Sequence, residues 1–479
     1  MAAANHRREG DSYSIRATGL FGAMTVALCA CTAVAPSHIN PAAIEIPTTW
    51  SSVTSVTAPA ATPLGEWWRR FDDPLLTQLV TAALEANTSV QIAQAALRQA
   101  RAQQDLARAS LFPSLDSSLS AQRNTNGGAS GNVFQAGLDA AWEADVFGAN
   151  RSAARASEAG ARASAASLGA VRVSIAAEVA LDYIALRSAQ ARLAIARANL
   201  ESQAETLQIS EWRRQAGLGT SLEAEQARTV VEQTRAQLPA LQSAIDQSSH
   251  VLAILIGQPP ATLSTVLAVV RPVPLAPVAL SLDIPAETLR QRPDVRAAEH
   301  EVSAAVARVA QAQAQRAPNF HLGGSLGVSA VTVSALTGGS SLVSSLLAGI
   351  SVPLFHGGAL VAQVRVQQAA LDQVRLQYRA AVLAALTDVE DALSALRNDR
   401  ERLVRLQHAA EAAGNASLIA RQRYASGIVD FQTVLDTART QLSTEESVAI
   451  ATADVSADNV RLYKALGGGW HSNDRQAPP

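Results

Sequence analysis

The chain places the same helix-breaking residues in the same order twice, and this internal repeat limits the folds it can adopt. In each half, a proline stops a helix, a phenylalanine and glycine junction follows, and one glycine interrupts a long helical pattern. Offsets of 205, 208 and 210 residues separate the corresponding positions: Pro113 and Pro318, Phe147 and Phe355, and Gly217 and Gly427. Repeated order and spacing mark duplicated structural units, so we expect two halves with one architecture.

Apolar residues at heptad spacing predict long helices in both halves. The proposed seams contain Val179, Leu186, Leu193, Leu200 and Leu207, and then Leu386, Val389, Leu393, Leu396 and Leu403. Sustained seven-residue spacing indicates helices wound into a left-handed supercoil. Aromatic residues make up only 4% of the chain, and abundant alanine favours close helix packing. We therefore predict a mainly α protein, in which residues 149–216 form a helix on the order of 100 Å long.

Between each proline and the following long helix lies a segment that is poor in charge and rich in Gly and Ser. Residues 114–147 and 318–355 each divide into two stretches of roughly ten residues, the length of a tilted membrane strand. Alternation alone also fits a soluble hairpin. In a membrane, four strands cannot close a barrel, and open edges in lipid would leave backbone groups unsatisfied. A dimer would supply eight strands around a filled lumen, whereas a homotrimer supplies twelve around a conduit.

The N-terminus has the features of a bacterial lipoprotein signal. Basic residues precede the apolar run GLFGAMTVALCAC, which is too short for a transmembrane helix. The residues LCAC suit cleavage before Cys31, which we expect to be acylated and to anchor the chain to membrane lipid. A plain signal peptide with incidental cysteines is the alternative. No later run is expected to be apolar enough for a spanning helix.

Charge and histidine content argue against several classes of function. The formal net charge is -2, so nucleic acid is not an expected partner. The eight histidines lack HxxxH or HExxH spacing, so we predict no metal site. The sequence also contains no Gly-x-Ser-x-Gly elbow and no phosphate loop in its usual context. We therefore expect no cofactor and no enzymatic activity.

Six stretches of the chain resemble the TolC/OprM-type outer-membrane efflux factors, in particular their NodT-type lipoprotein branch. They are RRFDDPLLTQLVTAALEAN, WEADVFGANR, LRQRPDVRAAEHEV, PLFHGGAL, RQRYASGIVDFQTVLDTART and LYKALGGGW. The resemblance covers most of residues 66–470 and implies a homotrimer in the outer membrane of a Gram-negative bacterium. It implies a twelve-stranded β-barrel and a periplasmic α-helical barrel, docked to a periplasmic adaptor (membrane fusion) protein and an inner-membrane pump of RND type. The expected function is a passive exit duct for drugs or other small toxic compounds.

Two other functions stay open from the sequence. The outer-membrane component of a type I protein secretion system would share the same plan. A soluble periplasmic coiled-coil adaptor would also have long helical hairpins, but it would need a lipoyl-like or β-barrel segment rich in Val and Thr. No such segment is found in the sequence.

The repeat and the resemblance together predict the division of the chain. We expect a signal peptide at 1–30, a linker at 31–65, a first efflux repeat at 66–260, an inter-repeat linker at 261–284, a second repeat at 285–466 and a tail at 467–479. The strands are expected at about 114–147 and 318–355.

The resemblance assigns adaptor docking to the two glycine turns. The docking residues are expected to be Gly217 with Leu218 and Gly427 with Ile428. Glycine suits such a turn because it adopts positive φ without steric cost. A simple reversal of the helix is the alternative interpretation, and it is compatible with docking.

The resemblance also places a channel gate at these turns. Glu223 and Tyr424 match the family's gate carboxylate and tyrosine, and a tyrosine O–H bonded to a carboxylate is a charge-assisted hydrogen bond. Val429 stands where the family has an arginine, so one gate link is missing. We assign Arg423 to the gate in its place. The other candidates are Arg421, Arg213 and Arg214.

Asp436 matches a lumen-facing aspartate of the family. Three copies would form a ring of negative charge that favours cations and can bind metal ions. Without the resemblance, a solvated helix face would be the simpler interpretation.

Overall fold

The computed structural model describes residue 50 and residues 65–126, 129–276, 289–338 and 341–470. The predicted signal peptide and Cys31 lie outside the described residues. The described chain forms two compact units. The first contains Leu106–Ala156 and Ala305–Leu371, and we call it the sheet unit; the second contains the other described residues, and we call it the helical unit.

The elements of the first half follow the predicted order. They are a 3-10 turn (Trp67–Phe71), α1 (Pro74–Ala86), α2 (Thr88–Ala109), β1 (Ser114–Asn126), β2 (Ala129–Ala144), α3 (Ala149–Gln215) and α4 (Ser221–Leu255). A second 3-10 turn (Pro260–Leu263) and the short helix α5 (Ser264–Leu267) come next. The helix α3 has 67 residues, which corresponds to roughly 100 Å at 1.5 Å per residue.

The second half repeats this order. Its elements are α6 (Pro293–Ala314), β3 (Asn319–Ala330), β4 (Leu342–Ser351), α7 (Ala359–Ala425) and α8 (Phe431–Ala465). The helix α7 has 67 residues like α3, and α8 has 35 like α4. The prediction of a mainly α fold with four strands and an internal repeat is confirmed.

The sheet unit contains one antiparallel sheet of four strands in the order β1-β2-β3-β4. Directly opposite residues share a face, so the register separates the side chains into two sets. One face carries exposed apolar residues: Leu115, Leu119, Leu138, Trp142, Leu322, Leu326, Leu342, Leu346 and Ile350. The opposite face carries mainly small and polar residues. One hairpin supplies β1 and β2, and the other supplies β3 and β4.

The largest core cluster of the helical unit joins the 3-10 turn at Trp67–Phe71 to three long helices, α3, α4 and α8. Trp67 stacks on Tyr463 of α8 with ring centres 5.2 Å apart, and both rings are fully buried. Around them pack apolar residues of α1, α3 and α4, such as Leu76, Val179 and Leu252. A second cluster contains Val389, Leu393 and Leu396 with Leu386 and Leu403 at its margin. The predicted heptad seams therefore supply core residues in both halves.

A buried polar network fixes the start of α1 against α3. One carboxylate oxygen of Asp73 accepts hydrogen bonds from the first-turn N–H groups of α1 at 2.9 and 3.1 Å. The other accepts the Tyr183 hydroxyl at 2.7 Å. Fully buried Arg187 donates to the Tyr183 oxygen and to the Val269 carbonyl. Burial and the bond to Asp73 raise the pKa of Tyr183 to about 12, which keeps the donor protonated.

One expectation about membrane-spanning helices is wrong. We expected no apolar run after the signal to be long enough for a spanning helix. The helix α3, however, contains an 18-residue window with a mean hydropathy of 1.4, so by length and composition alone this helix could span a membrane. The same helix supplies Ile175, Val179 and Ile184 to the core of the helical unit. Its apolar character therefore has a packing role, because a central helix in a soluble bundle needs the same residues.

Candidate functional site

The polar face of the sheet carries the acidic groups of the described strands. Asp116 lies directly opposite Asp139, and the Ser118 hydroxyl donates to Asp139 at 3.0 Å. Glu143 lies opposite His321 and accepts a hydrogen bond from the Asn319 amide at 2.9 Å. Val343 and Leu347 are apolar members of this face. A sheet with one apolar and one hydrophilic face is the pattern of a strand set between lipid and a water-filled lumen.

The first helix reversal, between α3 and α4, is an exposed glycine turn. Gly217 has φ +73, and a Cβ there would meet no atom within 4 Å. The N–H groups of Gly217 and Leu218 donate to carbonyls of the last turn of α3 at 3.1 and 2.7 Å, as in a Schellman cap. Thr220 then begins α4 through a capping box with Glu223. The Leu218 side chain is 70% exposed.

The second reversal, between α7 and α8, repeats this geometry. Gly427 has φ +76, and the N–H groups of Gly427 and Ile428 donate to the carbonyls of Tyr424 and Arg423, both at 2.9 Å. Asp430 caps α8 by accepting the Thr433 N–H and hydroxyl. These bonds lower the pKa of Asp430, so it caps as a carboxylate. Ile428 is 70% exposed, the same as Leu218 in the other turn.

The two turns pack side by side through one apolar cluster, which we call the tip cluster. It contains Ala227 and Val230 of α4, Ala420 and Tyr424 of α7, and Phe431, Val434 and Leu435 of α8. The Tyr424 and Phe431 rings lie 5.3 Å apart. Val429, which replaces the expected arginine, is half-buried and packs on this cluster. A valine at this position therefore strengthens apolar packing where a charged link was expected.

Among the described residues, Arg213 makes the cationic contact with Tyr424. Its guanidinium lies 4.7 Å from the centre of the Tyr424 ring. Since Arg213 is in α3 and Tyr424 is in α7, this cation–π contact joins the two hairpins. Arg213 is one of the three arginines that the sequence offers as alternatives to Arg423. Arg423 itself has an exposed side chain, and its carbonyl accepts the Ile428 N–H.

Glu223 and Tyr424 lie near each other, but they form no hydrogen bond in the described part of the chain. The Glu223 carboxylate accepts the Thr220 N–H at 3.2 Å within its capping box. The Tyr424 hydroxyl is buried and has no hydrogen-bond partner of good geometry among the described residues, although Ser210 is close enough to influence it. The pKa of Tyr424 is raised mainly by burial and, to a smaller extent, by the negative charge of Glu223. Their direct latch stays a prediction.

Asp436 lies on the exposed surface of α8, directly after Leu435 of the tip cluster. It accepts a hydrogen bond from Gln432 at 2.9 Å and forms a loose ion pair with Arg439 at 3.8 Å. Both side chains of the ion pair are about half exposed, so the pair contributes little to stability. A charged ring formed by Asp436 in several copies stays a prediction.

Sequence reasoning missed a polar seam between the hairpins, just above the tip cluster. Asn199, Gln203 and Ser210 of α3 are buried at intervals of four and seven residues. On α7, Ser417 is buried and Arg421, four residues further on, is half-buried. The guanidinium of Arg421 donates to the Ser202 hydroxyl, and the Asn199 amide donates to Glu445 of α8 at 2.9 Å. A cavity of about 20 Å³ lies among these side chains. The signal in the sequence was the helical spacing of polar residues on two separate helices.

These features define a class of protein: an outer-membrane channel subunit with amphipathic strands and long helical hairpins. The chain belongs to the outer membrane efflux protein family, whose model matches residues 79–258 and 284–468. This is a channel and transport family.

Two relatives and one solved structure illustrate the similarity. The chain is 32% identical over 464 residues to the pyoverdine export outer membrane protein OpmQ of Pseudomonas putida, covering 94% of this chain and 97% of the relative. It is 32% identical over 422 residues to the solvent efflux pump outer membrane protein SrpC of Pseudomonas putida, covering 86% and 88%. The structure of the outer-membrane channel OprN matches with a TM-score of 0.83 and 35% identity, over 89% of this chain and 98% of that one.

Proposed function

We propose that the protein is the trimeric outer-membrane exit duct of a tripartite efflux system. It conducts small toxic compounds passively from a periplasmic adaptor and an RND-type inner-membrane pump to the outside. The observation that carries this proposal is the amphipathic four-stranded sheet with two open edges. Such a sheet is stable in lipid only when copies of the chain complete a closed barrel. Three copies give twelve strands.

Similarity to the named relatives favours small molecules over proteins as cargo. OpmQ is named for pyoverdine export and SrpC for solvent efflux. Type I protein secretion is therefore the less favoured alternative. The direct test is drug accumulation in a deletion strain, with and without this chain restored. We expect accumulation to fall when the chain is restored, and an unchanged level with correctly assembled trimers would contradict the proposal.

The two glycine turns are the proposed docking sites for the adaptor. Leu218 and Ile428 are large apolar side chains held outward at equivalent places, and exposed apolar side chains of this kind favour a protein contact. Positive φ at Gly217 and Gly427 gives both turns the same backbone, so one adaptor motif fits each. The equal exposure of the two side chains supports two equivalent docking sites in each chain.

Substitutions at the exposed residues test docking without disturbing the turn itself. Ile428→Asp and Leu218→Asp should each reduce cross-linking to the adaptor, because a charge replaces an apolar contact that binding desolvates. Ile428→Val is the matched control, since it keeps an apolar side chain. Trimer formation should be unchanged in all three variants. Loss of trimers would assign these residues to folding, and full cross-linking of the Asp variants would contradict docking.

The gate is proposed to lie at the contact between the two hairpins of each chain. The Arg213–Tyr424 contact and the polar seam above it join α3 to α7 and α8 through interactions that water can replace. A polar contact of this kind separates at a lower free-energy cost than an apolar seam, because the freed groups are hydrated. Glu223, Arg423 and Asp436 remain in the proposed gate as charged groups facing the same end of the helices.

Lipid anchoring through Cys31 is proposed from its sequence context. Palmitate labelling of the mature protein and of a Cys31→Ser variant would test it. We expect label in the first and none in the second.

A further inference from the structure

The apolar face of the sheet bears a single charged side chain among the strand residues that the structure describes. Arg123 of β1 belongs to this face, because the register places it in the same alternating set as Leu115 and Leu119. The carboxylates of Asp139 and Glu143 belong to the opposite set. A cation on a lipid-facing surface is costly in the middle of the bilayer and tolerated near its boundary. The position of Arg123 along the strand therefore decides what it can contact.

The apolar face has the height of the hydrocarbon layer of an outer membrane. On β2 the residues of this face run from Ala144 to Phe134, ten residues apart, and all are alanine, leucine or aromatic. Their partners on β3 run from Phe320 to Ala330 and are also apolar. Ten residues extend about 33 Å along a strand, and a strand tilt of about 40° reduces this to a height of roughly 25 Å. The apolar band of outer-membrane barrels has the same height.

The two ends of this apolar band differ in chemistry. Near one end, the Trp142 indole N–H donates to the Leu111 carbonyl at 3.1 Å, where α2 leads into β1. An indole at the edge of the band is typical of the aromatic girdle of a membrane protein. At the other end, Arg123 lies directly opposite Asn132, which is the next residue of this face on β2 beyond Phe134. Arg123 therefore lies at the boundary of the band.

The connections of the strands assign this boundary to the outer leaflet. The helices α2 and α3 join β1 and β2 at the end of the sheet that carries Trp142, so Arg123 lies at the end away from the helices. In the proposed exit duct the helices extend into the periplasm, and the Arg123 end faces the outside. The outer leaflet of a Gram-negative outer membrane is rich in lipid A, whose headgroup carries phosphate groups. A guanidinium suits such a group, because its fork of N–H donors matches the phosphate oxygens.

We propose that Arg123 binds a phosphate group of lipid A in the outer leaflet, with the Asn132 amide as a second donor beside it. This contact rests on the proposed outer-membrane channel and gives it a specific lipid partner. Directly opposite residues of an antiparallel pair have Cβ atoms about 5 Å apart, so both side chains can reach one headgroup. The aliphatic part of Arg123 lies along the apolar band, while its charged end extends to the phosphate. The contact fixes the depth of β1 in the bilayer.

Lipid binding by the full-length trimer tests the proposal. Purified trimers in detergent are titrated with phosphorylated lipid A and with the same lipid A after removal of its phosphates, and the bound lipid is counted by native mass spectrometry. One arginine near an anionic headgroup accounts for about a 5-fold change in binding. Native trimers should therefore bind the phosphorylated lipid about 5-fold more tightly, and Arg123→Gln trimers should bind the two lipids equally.

Two matched variants and one competitor make this result specific. Arg123→Lys should keep part of the preference, because a point charge still attracts phosphate. Arg214→Gln makes the same change at an exposed arginine of the helical unit and should behave as the native chain. A preference that persists in Arg123→Gln, or that is absent from native trimers, would overturn the proposal. Competition by inorganic phosphate would also overturn it, because the site would then bind free phosphate and not a lipid headgroup.

Cysteine labelling tests the position of Arg123 at the outer boundary. Thr125→Cys and Ala121→Cys change the nearest residues of the same face on either side of Arg123. Intact cells that carry each variant are treated with a membrane-impermeant maleimide. We expect labelling of the Thr125→Cys variant, which lies beyond the band, and none of the Ala121→Cys variant, which lipid covers. Labelling of both variants, or of neither, would overturn this position.

Failure of the lipid contact is distinguishable from failure of the exit duct. If Arg123→Gln trimers keep the preference and the restored native chain still lowers drug accumulation, only the lipid contact is overturned. If the restored native chain assembles but leaves drug accumulation unchanged, the exit duct itself is overturned.

Discussion

Replacing Arg213 by Gln should open the channel, because Arg213 contacts the Tyr424 ring across the two hairpins. The guanidinium lies 4.7 Å from the centre of a ring whose side chain is buried. Cation–π contacts contribute about 0.5 to 2 kcal/mol, depending on desolvation, and we take about 1 kcal/mol for this half-buried pair. Arg213→Gln should then shift the closed-to-open ratio about 5-fold if each chain moves alone. If three chains move together, the shift is on the order of 100-fold.

Single-channel recordings in planar bilayers measure this ratio. Tyr424→Phe provides an internal comparison, since it keeps the ring and removes only a hydroxyl that has no well-formed hydrogen bond in the described chain. We expect Tyr424→Phe and the exposed control Arg214→Gln to behave as the native channel, and Arg213→Gln to open more often. If Tyr424→Phe opens the channel as strongly, a hydroxyl link to Glu223 holds the tips instead. Unchanged recordings for Arg213→Gln would refute the reasoning.

Three further predictions concern stability in detergent, followed as thermal unfolding by circular dichroism. Arg292→Met should lower the free energy of unfolding by about 1–3 kcal/mol, because Arg292 bonds Asp294 at 2.7 Å. Burial opposes ionisation of the Asp294 carboxyl, but the bond to Arg292 outweighs burial and lowers the pKa of Asp294. The stability lost in Arg292→Met should therefore shrink as the pH falls through that pKa. Burial is the main cause that raises the pKa of Asp458, so the folded protein holds its ionised carboxylate at a cost in stability. Asp458→Asn removes this cost and should stabilise the protein at pH 7, but not below about pH 4, where the carboxyl is protonated in both states. Gly427→Ala should destabilise by about 1–2 kcal/mol at positive φ, whereas Gly414→Ala, within α7, should stabilise by up to about 1 kcal/mol.

Each of these predictions has an outcome that contradicts it. A difference between native and Arg292→Met proteins that is constant with pH would exclude the bond to Asp294 as its source. If Asp458→Asn changes stability by the same amount at every pH, then burial of the Asp458 carboxylate does not oppose its ionisation. Equal effects at Gly427 and Gly414 would contradict the conformational role of the turn glycine.

Local patterns in the sequence were enough to predict the elements and their order. Heptad spacing around Val179 and Val389 predicted the long helices, and both residues are fully buried. Single glycines marked both reversals, because positive φ is accessible to glycine at little cost. The offset between the halves predicted one plan repeated twice, and α3 and α7 have the same length.

Local sequence patterns could not predict which side chains contact one another at the candidate gate. The resemblance suggested a hydrogen bond between Glu223 and Tyr424 and assigned Arg423 to the gate. In the described chain, Glu223 caps its own helix, and the cationic neighbour of Tyr424 is Arg213. A helix pattern gives the face on which a residue lies, but two faces meet only after the helices have chosen their rotation and offset.

The sequence by itself determined the order of elements, the lengths of the helices, the turn positions and the need for several copies. Those properties depend on periodicity and on breakers that act within a few residues. Only the tertiary structure decided the pairing of β2 with β3, the polar seam around Gln203 and the contact of Arg213 with Tyr424. These contacts join segments from different halves of the chain. Their choice depends on the combined packing of all the helices and strands, which no local stretch contains.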